Sequence, residues 1–405
     1  MPVLRPSIGL AFREMRRARL RFGLLAGALG LLAFLVLFQQ TLLTSLLGYF
    51  TGALENQSAE VLVYGDEART SVEASVVLPP TVEAVAAVDG VGRSAPLGEN
   101  TFTAEVGGSL EDVVVFGYEL GGPGAPTTLV DGRLPEADGE GVASDLDVAL
   151  GLDIGDVVRL GPEGEVPIEI VGLASDLRFS VEPTVFTSFA TFEAGRQAVN
   201  PDAPLVPASL VAVEPADGVD PADLARRITD EVDGVEALTR ADAVAQAPGV
   251  PETLQSCNIV FLLAYVVVAI VTGFFFLILT IQKEGAFTLL RAVGAGPGVL
   301  AGAVLLQALV VTIVGIALGA GVTALVAILV DDDFAQVPDP GLLLSTGSIM
   351  VILALVAALP SLRRVRRLDP ADAAQTSGGL ARGWPCARCG AGPGALPWRV
   401  GRWPS

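Results

Sequence analysis

Four apolar runs fix what this chain can become. Phe22–Phe38 reads FGLLAGALGLLAFLVLF and continues more weakly through QQTLLTSLLGYF to Phe50. Ile259–Ile281, Val299–Val330 and Gly341–Leu359 follow, and ionisable residues are nearly absent from all four. A helix needs about 20 consecutive apolar residues to cross a hydrocarbon core about 30 Å thick. The chain therefore reads as an integral membrane protein with four spans. At 1.5 Å per residue, Phe22 to Phe50 would reach ~44 Å as one helix, which carries the first span beyond the hydrocarbon. Basic residues precede this run as in a signal peptide. The run is longer than a signal core, however, and no clear A-x-A site follows, so it is read as retained.

Charge orients the spans. The formal net charge is -20, but residues 52–255 hold 37 Asp/Glu against 9 Lys/Arg, while the remainder is basic. Arg5, Arg13, Arg16, Arg17, Arg19 and Arg21 precede the first span, Lys283 and Arg291 lie between the second and third, and Arg363, Arg364, Arg366 and Arg367 follow the fourth. Between the third and fourth stands DDDFAQVPD, without a basic residue. Cytoplasmic loops carry the Lys/Arg excess, so both termini and residues 282–297 are expected inside. Residues 52–255 and Asp331–Asp339 are expected outside.

Several chemistries are excluded. The chain has no histidine, which removes Ser-His-Asp and Cys-His catalysis and every His-ligated metal site. No G-x-x-x-x-G-K-[ST] loop occurs, and Lys283 is the single lysine, so this polypeptide is not expected to hydrolyse ATP alone. No catalytic residue, cofactor or metal site is assigned. Cys386 and Cys389 form a lone C-x-x-C in a Gly/Pro/Arg-rich tail and lack two further ligands for a closed zinc site. An ion-coupled carrier usually keeps a charge at mid-membrane depth. Here only Gln39, Gln40 and Gln307 stand out, which argues against a secondary transporter.

Residues 52–255 read as a folded α+β domain. AEVLVYG, EDVVVFGY, GDVVRL and PIEIVGL are strand-like runs among Gly, Pro and Asp punctuation. LPPTVEAVAAVDGV and DPADLARRITDEVDGVEAL are helical patterns that start near a proline and end in Asp-Gly-Val, a weak internal repeat around a turn-rich β insert. Gly23-x-x-x-Gly27 and Gly315-x-x-x-Gly319 are candidate helix-packing pairs, within the chain or between two copies.

One short segment interrupts the apolar region. In QKEGAFTLLRAVGAGP, Gln282–Pro297, the residues Ala286, Leu289, Leu290 and Val293 form an i, i+3, i+4, i+7 stripe, and Lys283 and Arg291 lie largely off it. Gly294 can cap the helix and Pro297 blocks its continuation. An interfacial turn and a docking surface for a cytoplasmic protein are both open readings.

This segment resembles the signature after the second span in FtsX-like ABC permeases, the MacB-like group, in which an acidic residue precedes LLRAxGA. LAFREMRRARLR resembles the group's basic N-terminal helix. LVDGRLPEADGEGVASDLDVALGLDIGDVVRL resembles its GRxP and LGLxxGD external pattern, and LRRVRRLDPADA its closing DPAxA. The resemblance covers residues 8–375, with DevC-like permeases the nearest group. It implies two permease copies, a homodimer, working with a separate cytoplasmic ATPase that binds the ATP. It also makes the helix around Glu284–Gly294 the coupling helix, with Lys283, Glu284, Leu289, Leu290, Arg291 and Gly294 as ATPase-coupling residues.

The expected fold is an α-helical cell-membrane protein with four transmembrane helices and an α+β extracytoplasmic domain inserted between the first and second. The expected order is a basic amphipathic helix (1–21), first span (22–50), external domain (51–256), second span (257–281), coupling helix (282–297), third span (298–330), acidic external loop (331–340), fourth span (341–360) and disordered basic tail (361–405). The expected function is ATP-driven export or extraction. The alternative is an FtsX-type transmitter that activates an extracytoplasmic cell-wall hydrolase without transport. An extracytoplasmic adaptor or hydrolase is an open partner. No nucleic-acid partner is expected.

Overall fold

A computed structural model describes residues 15–162, 164–203, 205–283, 296–329 and 340–360, together with Arg13, Gly285 and Leu289. Most of the expected basic helix 1–21, the acidic loop 331–339 and the tail from residue 361 lie outside the described residues. Two compact units divide the chain: Met1–Leu29 with Val267–Gly315 and Ser348–Ser405, and Gly30–Val266 with Ile316–Gly347.

Among the described residues, four helices are long and apolar enough to cross a membrane. They are α1 (Arg19–Glu55), α6 (Val250–Gln282), α7 (Pro297–Leu329) and α8 (Pro340–Ala357). α7 and α8 each open on a proline, whose missing N–H is harmless in a first turn. α1 has 37 residues and so spans about 55 Å. It runs five residues past the expected end of the first span because Ala53 and Leu54, both fully buried, belong to the core of the folded domain. α6 starts at Val250, seven residues before the expected second span. Threonines on α1 satisfy themselves: the hydroxyls of Thr41, Thr44 and Thr51 donate to the carbonyls of Leu37, Gln40 and Leu47, the i−4 bond that suits a water-poor setting.

Between α1 and α6 in chain order lies one ten-stranded sheet. Its elements are β1 (Val61–Gly65), α2 (Pro79–Ala86), β2 (Val91–Val106), β3 (Ser109–Tyr118), β4 (Leu129–Gly132), β5 (Glu140–Ser144), β6 (Val157–Leu160), β7 (Val166–Ala174), β8 (Thr184–Ser188), α3 (Phe189–Val199), β9 (Leu210–Pro215), α4 (Pro221–Glu231), β10 (Val235–Thr239) and α5 (Arg240–Gln246). The strand order is β10-β1-β9-β2-β3-β8-β5-β7-β4. β6 pairs antiparallel with both β7 and β2, so β2, β3, β8, β5, β7 and β6 form a closed ring of pairings.

Period-two alternation sets the cores. Val61, Val63, Val211 and Val213 pack with Val85 of α2 and Leu224 and Ile228 of α4. The alternate residues Leu62, Tyr64, Leu210 and Ala212 join Phe116, Phe186 and the end of α1. Phe102, Val113, Val115, Val158, Ile168 and Ile170 of the ring strands build a third cluster with Phe192 of α3. α4 follows its sequence signals: Asp220 caps it by accepting from the N–H groups of Ala222 and Asp223, and Pro221 is its first residue.

The Asp-Gly-Val repeat has a backbone cause. Gly90 and Gly234 adopt φ of 95° and 78°, a left-handed turn natural to glycine, just before β2 and β10. The GRLP motif is structural as well. A Cβ on Gly132 would collide with the Val171 carbonyl. Arg133 holds Glu140 through two guanidinium bonds, which, with the Glu136 and Ala137 N–H groups, pull the Glu140 carboxyl down to about 2.

Candidate functional site

The coupling candidates are only partly described: Glu284, Leu290, Arg291 and Gly294 lie outside the described residues. Leu289 is helical and 70% exposed. Its neighbours at the end of α6 are tied to the start of α1. Arg21 Nη1 donates to Gln282 Oε1 at 2.6 Å, Lys283 Nζ lies 5.7 Å from the centroid of the Phe22 ring, and Phe22 meets Phe275 edge-on. Phe22 itself is buried. An ammonium over a ring face is attracted by its quadrupole, so the one lysine serves as a link between helix ends.

The packing glycines divide. On α7, a Cβ on Gly319 would stand 2.7 Å from Ala33 Cβ and from the Phe34 nitrogen of α1, so α1 and α7 approach closely there. Gly315 is buried in α7. A Cβ on Gly23 or Gly27 meets nothing within 4 Å, and both glycines are exposed. Gln40, noted in the sequence as a polar interruption, accepts from Thr346 Oγ1 at 2.6 Å and so pins α1 to α8.

A second junction joins the far end of α1 to the sheet, and sequence reasoning missed it. The segment Asp176–Val181 wraps that helix end. The Ala53 N–H donates to the Arg178 carbonyl, and the Ser180 and Val181 N–H groups donate to the carbonyls of Phe50 and Tyr49. Asn56 Nδ2 donates to the Asp176 carbonyl at 2.8 Å. A Cβ on Gly52 would collide with that same carbonyl. The Arg178 guanidinium stacks over Tyr49 at 5.2 Å and pairs with the fully buried Asp147 at 2.7 Å. Asp176, Ser180 and Val181 adopt φ of 53°, 51° and 70°, a costly conformation for side chains with a Cβ, above all a β-branched one. At the approach to α6, Arg69 and Thr70 are likewise left-handed, and Thr70 Oγ1 donates to the Gln246 carbonyl at 2.7 Å.

A cavity of about 250 Å3 opens where β2 passes from pairing with β9 to pairing with β3. Glu73, Glu99, Asn100, Thr101, Arg196 and Ser209 line it. Burial, then the nearby Glu73 carboxylate, push the Glu99 carboxyl up to about 7, and Arg196 opposes them. Phe192 floors the cavity over Gly98 and Gly117, where any Cβ would strike its ring. The only advance signal was Gly117 within the strand-like run EDVVVFGY.

Residues 258–370 match the family model of the FtsX-like permease C-terminal domain. An uncharacterized ABC transporter permease of Mycobacterium tuberculosis is 26% identical over 289 residues, 71% of this chain and 76% of that protein. The putative hemin transport system permease protein HrtB of Staphylococcus haemolyticus is 25% identical over 377 residues, 90% of this chain and 99% of that protein. Among solved structures, the periplasmic region of MacB from Actinobacillus actinomycetemcomitans aligns with 46% of this chain and 90% of that one at 12% identity and a TM-score of 0.34.

Proposed function

This chain is an ABC transporter permease of the FtsX-like type, and on that premise we propose that it couples a separate cytoplasmic ATPase to an α+β domain outside the cell membrane. The observation that carries the reading is α1. It is one unbroken helix, its start bound to the end of α6 at Gln282 and its last turns built into the domain core. A stiff element held at both ends can pass on a displacement that a flexible linker would absorb.

ATP is bound and hydrolysed by the partner, and the permease itself carries no cofactor. Residues 282–297 form the docking element, with Lys283, Glu284, Leu289, Leu290, Arg291 and Gly294 as its candidate contacts. Two permease copies and two ATPases make the unit, with both permease termini in the cytoplasm. Closure of the ATPases on ATP moves the docking element, and α1 and α6 carry the movement outward. The strained turns Asp176–Val181 and Arg69–Thr70 stand where this movement enters the domain, the kind of place where backbone strain is retained for a mechanical reason. The work done is export or extraction of a lipid, peptide, hydrophobic drug or haem-like molecule.

Co-purification tests the docking. The permease, co-expressed with an ABC ATPase encoded beside it, should retain that ATPase through affinity purification in detergent. Leu290→Asp and Glu284→Arg should each reduce the retained ATPase by about tenfold, the equivalent of 1.4 kcal/mol, while inserting normally. Full retention and coupled ATP hydrolysis in both variants would remove residues 282–297 from the interface.

A further inference from the structure

We propose that the cavity beside Glu99 binds a small ligand through a primary ammonium group. Glu99 is only 7% exposed, yet among the described residues its carboxylate accepts no hydrogen bond. Its bonds are backbone ones: the Glu99 N–H donates to Ser209 Oγ, and that hydroxyl donates back to the Glu99 carbonyl. A buried carboxylate without donors is costly, and a glutamine or an apolar residue would fill the same space without that cost. Its place at the wall of a cavity is explained by a donor that arrives with the ligand.

The surroundings select the donor. Glu73 adds a second carboxylate to the wall, and Arg196 adds one positive charge, part of which is already committed to Asn100 Oδ1. With both carboxylates ionised the cavity is net negative, so a cation is favoured over an anion. A guanidinium in the same wall opposes a bare metal ion. Among the described residues, moreover, no group of three or more His, Cys, Asp or Glu could hold a metal. An ammonium offers three N–H donors in a compact head, which suits two carboxylates and the Thr101 and Ser209 hydroxyls. The volume of about 250 Å3 admits a small amine and little more. The Phe192 floor gives apolar surface for its methylenes and a ring face for its charge. The site lies wholly within the sheet domain, and the proposal stands whether or not the ligand is the transported cargo and whether or not residues 282–297 hold an ATPase.

Calorimetric titration of the full-length permease in lipid nanodiscs at pH 8 tests it, with n-butylamine, cadaverine and L-lysine as probes and neutral N-butylacetamide as control. At least one amine should bind saturably to one site per chain, and N-butylacetamide should not. Glu99→Gln should weaken that binding by about tenfold or more, as expected for loss of a charge-assisted bond. Glu73→Gln, at an exposed position, should weaken it by a smaller factor, which guards against a folding artefact in the first variant. No saturable binding of any of the three amines would overturn the proposal. So would equal affinity in Glu99→Gln, or binding of N-butylacetamide as tight as that of the amine.

Discussion

Arg178→Ala should destabilise the sheet domain by about 3–5 kcal/mol, the usual cost of removing one partner from a buried ion pair. Asp147 is fully buried and Arg178 nearly so, at 0% and 14% side-chain exposure. Two guanidinium nitrogens, Nε and Nη2, reach the same Asp147 oxygen at 2.9 and 2.7 Å. Truncation leaves a buried carboxylate facing an apolar methyl group. It also removes the stacking on Tyr49 and loosens the segment whose carbonyl receives the Ala53 N–H of α1. Replacing both partners, as in Arg178→Met with Asp147→Leu, should restore most of the loss, since a well-packed apolar pair is often as stable as a buried ion pair. Chemical unfolding of the purified full-length protein, followed by tryptic resistance of residues 56–250, measures both. A loss below about 1 kcal/mol in the single variant would show that the pair behaves like an exposed one and anchors nothing.

Glu99→Gln should have the opposite sign, and its effect should depend on pH. The Glu99 carboxyl is raised from 4.5 to about 7, first by burial and then by Glu73. The native state therefore holds this proton more tightly than the unfolded chain does. Stability from this group is full below about pH 4.5, falls as pH rises through 7, and then stays low. The span corresponds to about 3 kcal/mol at 1.36 kcal/mol per pH unit. Glutamine has no charge to bury. The variant should match the wild type near pH 4.5 and exceed it by about that amount at pH 8. Thermal unfolding across this range reads the difference directly, and a gap that is constant with pH would contradict a buried, titrating Glu99.

The membrane helices and the sheet domain were legible to different depths. Runs such as Ile259–Ile281 announce themselves because apolar length alone decides a span. Val61–Gly65, Ser109–Tyr118, Val157–Leu160 and Val166–Ala174 were visible as strand-like runs between Gly, Pro and Asp, and α4 by Asp220-Pro221 at its start. The central strand β2 was only partly visible: a strand was expected after Asp89-Gly90-Val91 as far as residue 95, but not its continuation to Val106. VGRSAPLGENTFTAEV contains Pro96 and Gly98, and these read as loop. Pairing with β9 along its first half and β3 along its second overrides that local preference.

The site residues were harder still. Arg178 and Asp147 lie 31 residues apart, and Arg196 and Asn100 lie 96 apart. No spacing rule links such pairs; only the sheet order brings them together. In an acidic domain Glu99 is one carboxylate among many until burial distinguishes it. The two ends of α1 were equally hidden, because nothing in LLGYFTGALE shows that Ala53 and Leu54 leave the membrane pattern for a soluble core.

Nucleotide-driven movement is proposed to reach the sheet domain through the helices. Its most direct measurement is a pulsed electron–electron distance between spin labels at Ser109→Cys, an exposed hairpin position, in two permease copies reconstituted with the ATPase in nanodiscs. Addition of ATP to a hydrolysis-deficient ATPase should shift that distance by several ångströms, and Leu290→Asp should abolish the shift. An unchanged distance with the ATPase bound and loaded with nucleotide would contradict the coupling role.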